Sequence, residues 1–210
     1  MKKYAILGLA LLCGFAFFTA KDCAAKSSDP AIAFVENLAD EFITKIFTAK
    51  SSEKAKVDNF RKTFLKNCDL DFISKFVLGK AWRTASAENK ESFTKLFSEN
   101  VILTWAGRFK EYNGQTIKIT GTRPAQSGQL YVDSQVISPV PNTAPIALVW
   151  RLKNVDGNYK IVDLIIEGVS MAMSYRNEYA AILQASGGDI AKLTESLEKK
   201  NKALAKGLGI

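Results

Sequence analysis

Asp133 and Asp163 are the side chains of this chain best suited to moving protons. Each is a carboxylate inside an apolar run, between Val132 and Val136 in one case and between Val162 and Leu164 in the other. Burial raises a carboxyl pKa toward the range of a general base. The same surroundings equally suit a strand-end hydrogen-bond acceptor or an ion pair with Arg123 or Arg151, and the sequence leaves these open. Little else supports catalysis. There is no histidine, which removes histidine-dependent triads, the commonest general base and the usual zinc sites. Nucleophile-elbow, phosphate-loop and dinucleotide glycine patterns are missing as well. No cofactor or metal is expected, and an enzyme using Asp133 or Asp163 as base is the minor alternative.

The elements that position such residues run helices, then strands, then helices. Asp29-Pro30 offers an N-cap acceptor and a proline at the first helical position. Ile32, Val35, Leu38, Phe42, Ile43, Ile46 and Phe47 then recur at helical spacing. After Ser51-Ser52 come a stripe of Val57, Phe60, Phe64 and Leu65 and another of Phe72, Ile73, Phe76 and Val77, closed by Gly79. Ser86 caps a longer helix carrying Phe93, Leu96, Phe97, Val101, Trp105 and Phe109. Past Asn113-Gly114 the period falls to two. Strands are expected around Ile117 and Ile119, from Leu130 to Ile137, from Ile146 to Leu152, and, after an Asp156-Gly157 hairpin, from Tyr159 to Ile166. Gly168 breaks the last strand. A helix through Met173, Tyr179 and Leu183 follows, and Asp189 caps a final one. This order predicts an α+β fold. The third and fourth strands are apolar on both parities, unlike a sheet with one wet face. Either both faces are covered or one face lines an apolar pocket.

Charge and the N-terminus narrow the setting. The net charge of +8 implies attraction to a polyanion, either nucleic acid or an anionic membrane surface. Basic residues are scattered along helices and aromatics fall on apolar stripes, which argues against nucleic acid. Lys2 and Lys3 precede an apolar run from Tyr4 to Phe18, interrupted by Lys21 and Asp22. That is the pattern of a cleavable signal peptide, with cleavage expected after Ala25 and a periplasmic domain over 26–210. Cys68 is then the one cysteine left, a small apolar group beside Leu65 and Leu70.

Around the fourth strand the sequence becomes specific. Tyr159-Lys160-Ile161-Val162-Asp163, then Glu167-Gly168-Val169-Ser170, then Arg176 before Glu178-Tyr179 resembles the MlaC, or toluene-tolerance, family of periplasmic phospholipid-binding proteins. Phe76-Val77-Leu78-Gly79, Trp82-Arg83, Phe93, Phe97, Phe109 and Tyr112 fit as well, as does Val132 to Val136. The resemblance covers roughly Ala31 to Lys200. Trp105-Ala106 stands where a tyrosine is expected, a difference that looks like one of packing. The resemblance implies a curved antiparallel sheet of about four strands, like that of nuclear transport factor 2, packed against several helices over an apolar cavity. It implies a phospholipid shuttle that maintains outer-membrane lipid asymmetry. The partners implied are the MCE-domain subunit of an inner-membrane ABC transporter and an outer-membrane lipoprotein complex.

A carrier of this kind needs a dry lining and no covalent chemistry. Expected lining residues are Val77, Leu78, Trp82, Phe97, Leu103, Val132, Val136, Leu148, Trp150, Leu164, Ile166, Val169 and Met173. Arg83 and Arg176 are the expected contacts of the head group. Another apolar ligand, such as a hopanoid or a quinone, is the remaining alternative.

Overall fold

A computed structural model describes residues 29–210. The expected signal peptide, residues 1–25 with Cys13 and Cys23, lies outside the described residues. Helix α1 (Pro30–Phe42) starts where the sequence places it: the Asp29 carboxylate accepts from the Ala31 N–H at 2.8 Å, and Pro30 takes the first turn. The apolar stripe then continues, but the backbone does not stay α-helical. Ile43–Phe47 forms a π-helical turn in which the Thr48 N–H reaches back to the Ile43 carbonyl. The wider turn changes the phase of the stripe. Ile46 becomes fully buried, while Phe42, Ile43 and Phe47 face a hollow.

Side-chain caps open the remaining long helices. Ser52 caps α2 (Glu53–Asn67), Asp69 caps α3 (Leu70–Leu78), and Ser86 caps α5 (Ala87–Ala106). Ser170 caps α6 (Met171–Ala185) and Asp189 caps α7 (Ile190–Leu208). In each case the side-chain oxygen accepts a hydrogen bond from a backbone N–H of the first turn. Gly79 at φ +56° ends α3 and leads into the short α4 (Lys80–Thr84), which the sequence reading did not separate.

The strands β1 (Thr116–Pro124), β2 (Leu130–Ile137), β3 (Ile146–Val155), β4 (Asn158–Ile166) and β5 (Val169–Ser170) form an antiparallel meander in chain order. The expected sheet thus gains a fifth strand. Its two residues are too few to show periodicity. Glu167 and Gly168, both at positive φ, form the two-residue hairpin that returns the chain onto Ile166. Asp156 and Gly157, also at positive φ, make the hairpin between β3 and β4. Register shifts at Ile119/Gly121 and at Arg151/Leu152 mark bulges, which bend the sheet.

The apolar side of the sheet carries Val132, Leu148, Trp150 and Leu152, all buried, against Val35 and Leu38 of α1, Val77 of α3 and Phe97 of α5. On the opposite side Val149 and Arg151 are only half-buried. One face is therefore covered by helices and the other is not. A second apolar cluster, containing Ile46, Val57, Phe60, Leu103 and Phe109, lies among the π turn, α2, α5 and α7.

A candidate lipid cavity between sheet and helices

The two apolar clusters are bridged by Phe42, Phe64 and Trp105, which pack against both. Between them lies a hollow of about 740 Å³, within the range of about 300–1,000 Å³ common for small-molecule sites. Its sheet wall is Ile117, Val136, Ile146, Leu148, Trp150, Ile161, Leu164 and Ile166. Its helical wall is largely aromatic: Phe42 and Phe47, Phe60 and Phe64, Phe97 and Trp105, Phe109 and Tyr112, and Tyr175. Aromatic rings are stiff and bulky, so they hold apart surfaces that aliphatic chains would let collapse. Phe47 stacks on Tyr112 with centroids 4.6 Å apart, and its edge meets Phe109 at 5.7 Å.

Polar groups in the wall are mostly tied down. The Trp150 indole N–H donates to Ser134 Oγ at 3.0 Å, and that hydroxyl donates to the Leu148 carbonyl at 2.7 Å. Burial pushes the Cys68 thiol up to about 12 and the Tyr175 phenol up to about 12, so both stay neutral at any physiological pH. The exposed members of the wall are Arg108, Glu111 and Ile146, and they mark the mouth, at the sheet end where β1 starts and β2 finishes.

The two candidate bases have structural partners. Asp133 lies on the outer side of the sheet, where Arg123 pairs with it at 3.0 Å. The same guanidinium sits 4.1 Å above the Tyr131 ring. Asp163 is buried and in contact with the hollow, but both its oxygens accept hydrogen bonds: Oδ2 from Ser170 Oγ at 2.5 Å and Oδ1 from the Ala172 N–H at 2.9 Å. It therefore fastens the start of α6 to the sheet. Among the described residues no cluster of histidine, cysteine or carboxylate side chains could hold a metal ion.

Of the expected lining residues, Phe97, Val136, Leu148, Trp150, Leu164 and Ile166 stand on the wall. The others do not. Val77, Leu78 and Val132 are buried in the first cluster and Leu103 in the second. Trp82 packs beside the first cluster, with Lys90 Nζ 5.6 Å from its ring. Val169 and Met173 project into solvent. The expected head-group contacts are displaced too. Arg83 is exposed on α4. Arg176 donates from Nη1 to the Phe76 carbonyl at 3.0 Å and lies 5.0 Å from the Phe76 ring. It thereby satisfies a carbonyl in the last turn of α3. The cation on the cavity wall is Arg108 instead. Trp105, read as a packing difference, also belongs to the wall.

The sequence reading missed Phe42, Phe47, Phe60, Phe64, Phe109 and Tyr175. They sit on helical stripes, and a stripe does not distinguish a cavity wall from a filled core.

Comparison with known proteins agrees with this architecture. A protein from Ralstonia solanacearum, solved in complex with a phospholipid and described as phospholipid-binding, superposes with a TM-score of 0.71 at 22% identity, over 82% of this chain and 97% of its own. The intermembrane phospholipid transport system binding protein MlaC of Haemophilus influenzae is 27% identical over 190 residues, 86% of this chain and 87% of its own length. The toluene tolerance protein ttg2D of Pseudomonas putida is 25% identical over 144 residues, 68% of this chain and 66% of its own length. The family model for MlaC protein matches residues 36–199. That span runs from within α1 to within α7, across every element that walls the hollow, and so the chain belongs to the MlaC protein family.

Proposed function

We propose that this protein is an exported phospholipid carrier whose cavity holds acyl chains out of water. The observation that carries the reading is the hollow of about 740 Å³ between sheet and helices, with an almost wholly apolar wall. Each methylene removed from water is worth about 0.8 kcal/mol. Two chains of about fifteen carbons give a gross gain on the order of 20 kcal/mol, reduced by chain ordering and association costs. No covalent step is needed, which fits the structural roles of Asp133 and Asp163.

The carrier works in the periplasm after removal of residues 1–25, and exchanges lipid with two membrane complexes. One is an inner-membrane ABC transporter, met through its MCE-domain subunit, and the other an outer-membrane lipoprotein complex. Cycling lipid between them maintains outer-membrane asymmetry. A net charge of +8 favours acidic docking surfaces, with an attraction that weakens in salt.

Lipid bound with that much apolar burial leaves slowly unless a partner favours an opened form of the pocket. Protein loaded with labelled phospholipid should therefore deliver it faster to vesicles bearing the MCE-domain transporter than to bare vesicles. Equal rates to both would refute partner-driven release.

A further inference from the structure

The mouth of the hollow has a charge pattern of its own. Arg108 precedes and Glu111 ends a 3₁₀ turn, Phe109–Glu111, at its lip, and Nη1 of the one stands 3.8 Å from Oε2 of the other. Their side chains are 65% and 69% exposed, so the pair is loose and each partner can be exchanged at small cost. Further inside, the wall polar groups are neutral side chains, except for Asp163, whose carboxylate is already hydrogen-bonded. A cation and an anion side by side are thus the free charges a head group meets at this lip.

From this arrangement we infer that the Arg108–Glu111 pair selects zwitterionic phospholipids, those whose phosphate is followed by an ammonium group. The inference rests on the carrier reading and adds the class of head group. With the acyl chains inside, the phosphate takes Arg108 and the ammonium takes Glu111, so the internal pair is replaced by two complementary ones. A head group ending in neutral glycerol offers Glu111 hydroxyl donors but no opposite charge. Its phosphate instead competes with that carboxylate for Arg108 and is repelled by it. The net positive charge of the whole molecule pulls the other way, toward anionic lipid surfaces. Docking to a membrane and choice of cargo are thereby set by different groups.

The test is competitive loading. Delipidated protein lacking residues 1–25 is incubated with vesicles of equimolar phosphatidylethanolamine and phosphatidylglycerol with identical acyl chains, then read by native mass spectrometry. Wild type should hold phosphatidylethanolamine in about two- to five-fold excess, the discrimination available to one screened ion pair. Glu111→Gln should bring the ratio of the two bound lipids down to that of the vesicles, and Glu111→Asp should restore part of the excess. Arg108→Gln should lower occupancy by both lipids. A wild-type ratio equal to that of the vesicles, or one that Glu111→Gln leaves unchanged, would overturn the inference while leaving the carrier reading intact. Binding of neither lipid by folded protein would overturn the carrier reading itself.

Discussion

Cys68, Tyr175 and Tyr179 show how far individual side chains are fixed by their surroundings. Burial raises all three pKa values: Cys68 from about 9 to about 12, Tyr175 from about 10 to about 12, and Tyr179 further still. The neutral forms therefore belong to the folded state. Their contribution is complete below the pKa of the unfolded chain and is lost as pH rises through the folded value. Stability to urea, measured without residues 1–25, should be level between about pH 7 and pH 8.5, fall as unfolded cysteine ionises, and fall more steeply above about pH 10. Cys68→Ala should remove the first part of that decline and leave the second. A profile unchanged by the substitution would show that the thiol is not desolvated as described. Arg176 teaches a different lesson at the same scale. Its place before Glu178-Tyr179 helped mark the family pattern, and in the fold its guanidinium donates to the Phe76 carbonyl at the end of α3. Sequence shows that a residue type recurs in a pattern. It does not show whether the reason is a ligand or a carbonyl one hundred residues away.

The turn after β4 shows how several residues act as one element. Glu167 and Gly168 reverse the chain, and the Glu167 backbone and carboxylate both bond to Ala147 at the start of β3. Ser170 then caps α6 through Met173 N–H while donating to Asp163. The Glu-Gly-Val-Ser segment is in this way a fastening of α6 to the sheet. Gly168 has φ +80° with nothing within 4 Å of where a Cβ would stand. Gly168→Ala therefore costs only the unfavourable left-handed conformation, about 1–2 kcal/mol in urea unfolding. No loss at all would contradict the positive φ, and a loss above about 4 kcal/mol would contradict the open space. Turn chemistry made much of the fold legible: Asn113-Gly114, Asp156-Gly157, Asp29-Pro30, Ser86 and Asp189 all mark boundaries that the chain observes. The π turn was not legible, because its apolar stripe continues without a break from α1. The fifth strand and α4 were too short to carry a period.

For the molecule as a whole, the hollow lies where two apolar clusters adjoin without filling the space between them, and no single residue encodes it. Leu103 and Trp105 lie two positions apart on one helix, yet Leu103 is buried inside the second cluster while Trp105 packs at its edge and faces the cavity. Which way each points is settled only when α5 packs against α2 and α7. The doubled apolar parity of β3 and β4 was the one sequence signal of unusual enclosure. It pointed to wall residues on the sheet, such as Leu148 and Leu164, but could not find the aromatic wall opposite. Among the described residues no helix is long and apolar enough to cross a membrane. The apolar wall faces the hollow inside the fold.

Native mass spectrometry of the protein, purified from its expression host without added lipid, tests the central claim most directly. The account predicts a population carrying the added mass of a two-chain phospholipid, released intact by collisional activation and identified by its fragments. Folded protein that carries only a hopanoid or a quinone, or that is empty and remains empty after incubation with phospholipid vesicles, would contradict it.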